Sequence, residues 1–193
     1  MSKRIALFAS AAVIAFAAAI APAAPALAQM NEKTVTVGGA PMYPSKNIIQ
    51  NAVNSKDHTT LVAAVKAAGL VDTLSGPGPF TVFAPTNAAF AKLPAGTVDT
   101  LLKPENKATL TKVLTYHVVP GRMTAVALMK AVKDGEGEAH LKTVAGEDLI
   151  VKQAGPGKLT VTDVKGDVAI VTIPDVLQSN GVIHVVDTVL LPN

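Results

Sequence analysis

The sequence contains no cysteine and no tryptophan, and only 4% of its 193 residues are aromatic. The absence of cysteine excludes disulfide bonds, thiolate zinc sites and thiol-based catalysis. Because no covalent cross-link is available, the fold must rely on packing alone. Aliphatic side chains have to supply most of that packing, since 49% of the chain is hydrophobic and so little of it is aromatic.

The chain also lacks a surplus of charge of either sign. It has 17 basic and 14 acidic residues, and Lys3 and Arg4 lie in an N-terminal segment that we expect to be removed. Without these two residues, 15 basic residues face 14 acidic ones, which leaves a net charge of +1. No cluster of lysine and arginine remains, and phosphate backbones are bound through such clusters. We therefore predict no nucleic-acid partner.

A long hydrophobic run occurs only at the N-terminus. Two basic residues precede an uncharged apolar segment at 5–21, and small residues stand at Ala26 and Ala28. This pattern is typical of a secretory signal peptide over residues 1–28, cleaved after Ala28 to leave Gln29 first. A retained membrane anchor is the alternative. We predict a secreted or periplasmic protein with no integral membrane anchor after cleavage.

The sequence has little that resembles a catalytic or metal-binding pattern. A Gly-x-Ser-x-Gly motif is absent. No two histidines stand at metal-binding spacing among His58, His117, His140 and His184. Four carboxylates flank turns and are interpreted as solvated charge, with calcium binding or acid–base catalysis as the alternative: Glu136, Glu138, Glu147 and Asp148. We predict a protein that is not an enzyme and has no cofactor and no metal site.

The periodicity of apolar residues changes along the chain. Residues 29–44 contain paired glycines and two prolines without an apolar period, which predicts an N-terminal arm or linker. Helical spacing then dominates up to about residue 135, interrupted by a short strand at Phe80–Phe83. Beyond it, alternation and regular turns predict antiparallel strands. Because a lone strand is unstable, the early strand must join the late sheet, which gives an α+β domain.

Three segments carry the most specific patterns. GPFTVFAPTNAAF covers residues 78–90, LTYHVVPG covers 114–121, and DVLQSNGVIHVVD covers 175–187. In this order and spacing they resemble the signatures of the fasciclin-type adhesion domain, as found in single-domain bacterial secreted members. The resemblance implies one such domain over residues 45–193. It also implies a wedge-shaped antiparallel β-sandwich with helices packed on one edge.

Several residues outside and inside these segments are expected to cap helices. Thr59 or Thr60 suits the start of the second helix, and Gly69 suits its end. In the first motif, Thr86 or Asn87 suits the cap of the helix that follows the early strand. These assignments rest on side-chain oxygens that can accept hydrogen bonds from otherwise unpaired backbone N–H groups.

Other motif residues are expected to stabilise the interior. Phe90 is predicted to anchor its helix in the core, and Asn180-Gly181 is predicted to form a tight turn with positive φ. His117 and His184 lie in strongly apolar stretches, so their ring nitrogens are expected to pair with nearby groups and to serve stability. These roles need no ligand.

The resemblance also implies an interaction site. In fasciclin-type domains the Tyr-His motif and an Asp-aliphatic pair are associated with adhesion to cell-surface receptors, and the matching residues are Tyr116, His117, Asp175 and Val176. The implied partner is a cell-surface or matrix protein or glycan. We expect Asp175 to be exposed on a loop after Pro174, beside Val176 and Leu177, because an unpaired buried carboxylate is costly.

A binding function of another class remains open. Some fasciclin-like proteins of microbes and algae resemble this chain and carry lipophilic pigments such as carotenoids. The chain is rich in Ala, Val and Leu, and three methionines, Met42, Met123 and Met129, are candidates to line an adaptable groove. The alternative for these methionines is ordinary core or surface packing.

The N-terminal pattern makes a direct prediction about the exported protein. Mass spectrometry of the secreted or periplasmic form should give the mass of a chain that begins at Gln29, because signal peptidase requires the small residues at Ala26 and Ala28. Recovery of the intact chain, still starting at Met1, in the membrane fraction would contradict this prediction.

Overall fold

A computed structural model describes residues 34–193. The predicted signal peptide and its cleavage site lie outside these residues. The described helices are α1 (Ile48–Ala52), α2 (Thr59–Ala68), α3 (Val71–Ser75), α4 (Asn87–Ala91), α5 (Thr97–Leu101), α6 (Lys107–Tyr116) and α7 (Ala125–Asp134), with 3₁₀ turns at Lys56–His58 and Pro104–Asn106. The strands are β1 (Val35–Val37), β2 (Ala40–Met42), β3 (Phe80–Pro85), β4 (Val118–Pro120), β5 (Glu138–Lys142), β6 (Asp148–Gln153), β7 (Leu159–Thr162), β8 (Val168–Gln178) and β9 (Gly181–Val186).

Seven strands form one sheet in the order β4-β3-β9-β8-β7-β6-β5. The early strand β3 does join the late strands, and the α+β class is confirmed. Its pairing with the last strand, β9, is parallel, whereas the other neighbours in this sheet are antiparallel. The sheet is therefore mixed, and the chain between β3 and β9 passes through helices α4–α7 and strands β4–β8 rather than through a hairpin.

The sheet bends along β8. The first half of this strand pairs with β7 and the second half pairs with β9, and the register shifts on either side of Ile173. Such irregularities bend a strand and increase its twist. At the far ends of the sheet the N–H of Val144, just after β5, donates to the carbonyl of Val118 in β4 at 2.8 Å. The outermost strands thus meet, and the curled sheet encloses a core as the two layers of a sandwich do.

Two apolar clusters fill the fold. One lies between the helices and the sheet and includes Val65, Leu110, Leu114, Val82 and Ile183. The other lies inside the curled part of the sheet against α7 and includes Phe83, Leu128, Leu149, Val151 and Val161. β3 contributes to both clusters, since Val82 and Phe83 point to opposite faces of the strand. The early strand is consequently a wall shared by both cores.

The structure confirms only some of the helix caps that the sequence predicted. Thr86 caps α4 by accepting the N–H of Ala89 at 3.2 Å, as its position predicted. For α2, neither Thr59 nor Thr60 provides a side-chain cap. Instead the Oδ1 atom of Asn87 accepts the N–H of Thr60 at 3.0 Å from across the fold. Asn87 therefore ties the two helices together, which a reading of α2 alone could not reveal.

The segment expected to be an arm or linker, residues 29–44, contains regular structure where it is described. Strands β1 and β2 form an antiparallel hairpin, and its Val37 and Met42 side chains are buried in the core. The carbonyl of Gly38, at the hairpin turn, accepts the N–H of Lys56 at 3.3 Å. Three-residue strands carry too few apolar positions to show a period, which explains why the sequence pattern did not indicate them.

The turn at Asn180-Gly181 differs from the expected geometry. Gln178 pairs with Gly181, so Ser179 and Asn180 form a two-residue turn, and neither Asn180 nor Gly181 has a positive φ. Glycine is required at 181 for another reason. A Cβ there would lie 2.2 Å from the carbonyl oxygen of Phe80, far inside van der Waals contact. The absent side chain allows β9 to approach β3.

Asn180 connects four parts of the fold. Its Oδ1 atom accepts the N–H of Ile48 at 3.1 Å, at the start of α1. Its Nδ2 atom donates to the carbonyls of Leu74 and Gly76, at 2.8 and 2.9 Å, where α3 ends. Its own carbonyl accepts the N–H of Phe80 at 3.1 Å, where β3 begins. One amide side chain thus joins the β8–β9 turn to two helix ends.

We expect Asn180→Ala to lower the free energy of unfolding by about 3 kcal/mol, because it leaves three part-buried backbone groups without partners. Asn54→Ala is the matched control, since the Asn54 side chain donates one exposed bond to Gln50 and should cost less than about 1 kcal/mol. Urea denaturation of both variants measures the difference. Equal losses in the two variants would show that Asn180 does not hold these elements together.

Candidate functional site

Tyr116 of the central motif is buried at the end of α6. Its hydroxyl donates to the carbonyl of Asp148 at 3.0 Å and accepts the N–H of Val164 at 3.1 Å. Burial raises the pKa of Tyr116 to about 12, so the phenol stays protonated and remains a donor. The side chain links α6 to the start of β6 and to the turn after β7, and it reaches no surface partner.

His117 follows directly and uses both ring nitrogens inside the protein. Its Nδ1 atom donates to the carbonyl of Val113 at 2.8 Å, and its Nε2 atom accepts the N–H of Leu190 at 3.0 Å. These two partners fix the tautomer with the proton on Nδ1. Burial lowers the pKa of His117 to about 4, which keeps the ring neutral. The residue fastens the C-terminal segment to α6.

Asp175 lies in the second half of β8 with φ +56°, and it holds the start of α7. Its Oδ1 atom accepts the N–H of Ala125 at 2.7 Å, the first residue of that helix. A carboxylate in this position also interacts favourably with the helix dipole. Its backbone N–H donates to Nδ1 of His184 at 3.3 Å. The carboxylate is half-buried and already has a partner.

His184 completes this arrangement from β9. Its Nε2 atom donates to the carbonyl of Met123 at 2.8 Å, and its Nδ1 atom accepts from Asp175, so the tautomer is opposite to that of His117. Burial lowers the pKa of His184 as well. The ring of Phe83 stacks on it with centroids 5.6 Å apart. His184 thus binds the loop before α7 to the sheet.

The expected exposed site around Asp175 is therefore corrected. Val176 is almost completely buried in the core between the helices and the sheet, and Asp175 is half-buried rather than free in a loop. Pro174 does not end the strand, because β8 continues through Gln178 after the register shift. The strand alternation turns Val176 inward and leaves Leu177 outside. The Asp175 carboxylate is already hydrogen-bonded to Ala125 and the Val176 side chain is buried, so neither is free to contact a partner.

The three motifs meet at Phe83. Its N–H donates to the carbonyl of His117 at 2.9 Å, while its ring stacks on His184. Phe90 of the first motif is buried and packs in the core on the helix side of the sheet. The Tyr116–His117 pair and the Asp175–His184 pair occupy different places and do not form one pocket. Their contacts hold interior elements together.

The sequence did not indicate a further buried histidine, which pairs with a serine. Ser55 and His58 are both buried, with Oγ and Nδ1 2.9 Å apart, and no hydrogen-bond partner reaches Nε2 of His58 within residues 34–193. Burial lowers the pKa of His58. A serine three residues before a histidine, just ahead of α2, is the only signal in the sequence. Because both side chains are enclosed, this pair offers no accessible nucleophile.

His58 lines an apolar cavity beneath the β1–β2 hairpin and α1. The volume within this cavity that the centre of a water molecule can occupy is about 30 Å³. The other walls of the cavity include Val37, Met42 and Ile48. A second apolar cavity of the same size shares Ile48 and Ala52 with it. Spaces of this size hold a water molecule or two, not a pigment. Met42 belongs to this lining, whereas Met123 and Met129 pack in the other core.

The part of the chain that the structure describes offers no evident chemical centre. Within it, no group of three or more histidine or carboxylate side chains is placed to hold a metal ion. Glu138 is paired with Lys152 at 2.9 Å and Glu147 with Lys112 at 2.7 Å, and these hydrogen bonds lower the pKa of each carboxyl. No helix in residues 34–193 has the length and apolar character needed to cross a membrane.

Comparison with known proteins agrees with these motifs. The fasciclin domain pattern matches residues 56–192. The chain belongs to the fasciclin domain family. This fasciclin domain is 48% identical over 181 residues to protein sll1483 of Synechocystis, covering 94% of the chain and 93% of that protein. It is 36% identical over 146 residues to immunogenic protein MPB70 of Mycobacterium bovis, covering 73% of the chain and 66% of that protein.

The fold of this fasciclin domain is also similar to a solved structure. That structure is of a FAS1 domain pair from the insect cell adhesion molecule Fasciclin I, with a TM-score of 0.68. The match covers 77% of this chain and 52% of the other, at 21% sequence identity. At this identity the likeness shows the fold alone, which is an α+β arrangement of helices and a seven-stranded mixed sheet.

The buried histidines of this fasciclin domain predict a dependence of stability on pH. His117 has a pKa of about 4 when folded and 6.5 when unfolded, so the unfolded chain binds more protons between these values. The stabilisation is fully present above pH 6.5 and is lost as the pH falls towards 4. It amounts to roughly 3 kcal/mol for His117. Chemical denaturation at several pH values between 4 and 7 measures it.

The matched variants are His117→Gln and His140→Gln. Glutamine at 117 cannot titrate, so that variant should lose the part of the pH dependence that comes from His117, and it should be less stable at pH 7. His58 and His184, whose pKa values burial also lowers, keep their own contributions. His140 is exposed on β5, and its replacement should leave the wild-type slope intact. An unchanged slope in His117→Gln would assign the effect to other groups.

Proposed function

We propose that this protein is an exported, non-enzymatic interaction protein that mediates adhesion to a cell-surface or matrix protein or glycan. The observation that carries the proposal is the interior pairing of the motif residues. Tyr116, His117 and His184 are buried, with the tyrosine hydroxyl and both nitrogens of each histidine ring hydrogen-bonded inside the fold. A fold that uses its polar motif residues in this way offers its surface, rather than a catalytic pocket, for recognition.

Family membership supports the same reading. The chain is a fasciclin domain, and the solved structure it resembles comes from an insect protein described as a cell adhesion molecule. For location we propose secretion or retention in the periplasm after cleavage behind Ala28. The charged N-terminus, the apolar run and the small residues at 26 and 28 support that proposal.

For the contact surface we propose the region around Asp175, in a form that differs from the sequence-based expectation. Asp175 positions the start of α7, and two apolar side chains beside that contact are exposed. Val126 on the first turn of α7 is 70% exposed, and Leu177 on β8 is 39% exposed. Apolar side chains at a surface lose contact with water when a partner covers them, which favours binding. In this proposal Tyr116, His117, Asp175 and Val176 position the surface from within.

A second candidate function is carriage of a lipophilic molecule such as a carotenoid. The observation that favours it is the pair of adjoining apolar cavities under α1, with the buried ring of His58 in one wall. A pigment would need them to merge and widen by movement of the β1–β2 hairpin. The absorption spectrum of protein purified from its own host separates the candidates, since a visible band favours carriage and a colourless adhesive protein favours adhesion.

The adhesion proposal predicts that beads coated with Leu177→Asp or Val126→Asp protein bind host cells or matrix about ten-fold less than wild-type beads, because a charge replaces an apolar contact. Val168→Asp is the matched control: Val168 is a similarly exposed valine at the other end of β8. Melting curves check that all variants fold. Undiminished binding by both folded variants would move the contact surface elsewhere, and absence of binding by the wild type would remove the function.

A further inference from the structure

An open groove lies at the end of the domain where β8 turns into β9. It has about 530 Å³ of space and is lined by Pro77, Gly78, Pro79, Arg122, Ser179 and Asn180. The groove is shallow and open to solvent, so a ligand bound there would remain partly exposed. One wall is the chain entering β3 and the other is the β8–β9 turn. Asn180 fixes the two walls relative to each other through its bond to Phe80.

Arg122 gives this groove its charge. It is the only arginine in residues 34–193, and its Nη2 atom donates to the carbonyls of Gln178 at 2.9 Å and Ser179 at 3.2 Å. These bonds hold the guanidinium against the turn. Within the described chain Arg122 forms no ion pair with a carboxylate. The ion pairs there are formed by lysines and by His140. The groove therefore presents a positioned, uncompensated positive charge with N–H groups to spare.

The backbone around the groove has few hydrogen bonds left to offer. The N–H of Phe80 donates to Asn180, the N–H of Ser179 donates to Lys46, and the carbonyl of Pro79 accepts from Gly121. The two prolines have no N–H at all. An extended peptide is normally held through a row of free backbone groups, which this groove does not supply. The groups that can contact a ligand here include the guanidinium, the Ser179 hydroxyl and the exposed proline rings.

We propose that this groove binds an acidic polysaccharide of the cell surface or matrix, with a uronate carboxylate on Arg122. Both N–H groups of Nη2 go to the carbonyls of Gln178 and Ser179, so Nε and Nη1 are the donors that Arg122 has left for a carboxylate. A hydrogen bond between two charged groups is stronger than one between neutral groups. The C–H face of the sugar ring packs on Pro77 and Pro79, and a ring hydroxyl bonds to Ser179. The inference rests on the proposed adhesive function and names the partner class that this groove selects.

The test is direct binding of polygalacturonate, a uniform uronate polymer, to the purified protein, measured by isothermal titration calorimetry. Dextran, a neutral polymer of similar size, and polyglutamate, an acidic peptide, are the comparison ligands. We expect binding of polygalacturonate that weakens as salt increases, and little binding of the other two. Binding of dextran equal to that of polygalacturonate, or tighter binding of polyglutamate, would overturn the proposal.

Three variants locate the site. Arg122→Gln should weaken polygalacturonate binding ten-fold or more, whereas Lys133→Gln, an exposed cation on α7 outside the groove, should change it less than about two-fold. Arg122→Gln also removes the hydrogen bonds that Arg122 makes to the β8–β9 turn, so its effect on binding could come from a change in the turn. Pro77→Asp therefore serves as a second variant. It keeps Arg122 and its carbonyl bonds but places a repelling carboxylate on the wall. Wild-type affinity in a folded Pro77→Asp variant would overturn the proposal.

The outcomes also separate this inference from the adhesive function. Cell adhesion that persists while polygalacturonate binding is absent leaves adhesion in place and rejects the groove as its site. Polygalacturonate binding that depends on Arg122, without adhesion to host cells, supports the groove and rejects the adhesive function as proposed.

Discussion

The rest of the structure depends on the parallel contact between β3 and β9. This pairing joins the first strand of the main sheet to the last, and both strands are buried on nearly every residue. It is possible only because Gly181 has no side chain where it meets the carbonyl of Phe80. Asn180 then fixes the approach by bonding to the ends of three other elements. The helices on one side and the curled sheet on the other both pack against this pair.

The residues of the three motifs have a structural role in this chain. Phe83 brings the central and closing motifs together through a backbone bond to His117 and a stacked contact with His184. Each histidine accepts one backbone N–H and donates to one backbone carbonyl, and the two rings use opposite tautomers to do so. A polar side chain that meets two backbone partners in the interior specifies a local arrangement more strictly than an apolar one does. The motif residues therefore define the shape on which any surface site is built.

The sequence predicted the elements that have a clear period or a local cap, and it failed where distant residues meet. The α+β class, the inclusion of the early strand in the late sheet and the Thr86 cap all follow from local patterns. The cap of α2 comes from Asn87, which lies 27 residues away from Thr60, and no local pattern contains that information. The burial of Val176 follows from a register shift inside β8, which alternation alone does not reveal. The groove at Arg122 is formed by three separate segments and has no signature along the chain.

The pairing of β3 with β9 has a consequence for how the domain folds. Phe80 pairs with Gly181 across about 100 residues of intervening chain, so the parallel pair cannot form from local contacts. His117 depends in the same way on Leu190, 73 residues further along the chain. The entropy of closing these long loops must be lost before the contacts form, so we expect this domain to fold more slowly than a helical bundle of the same length.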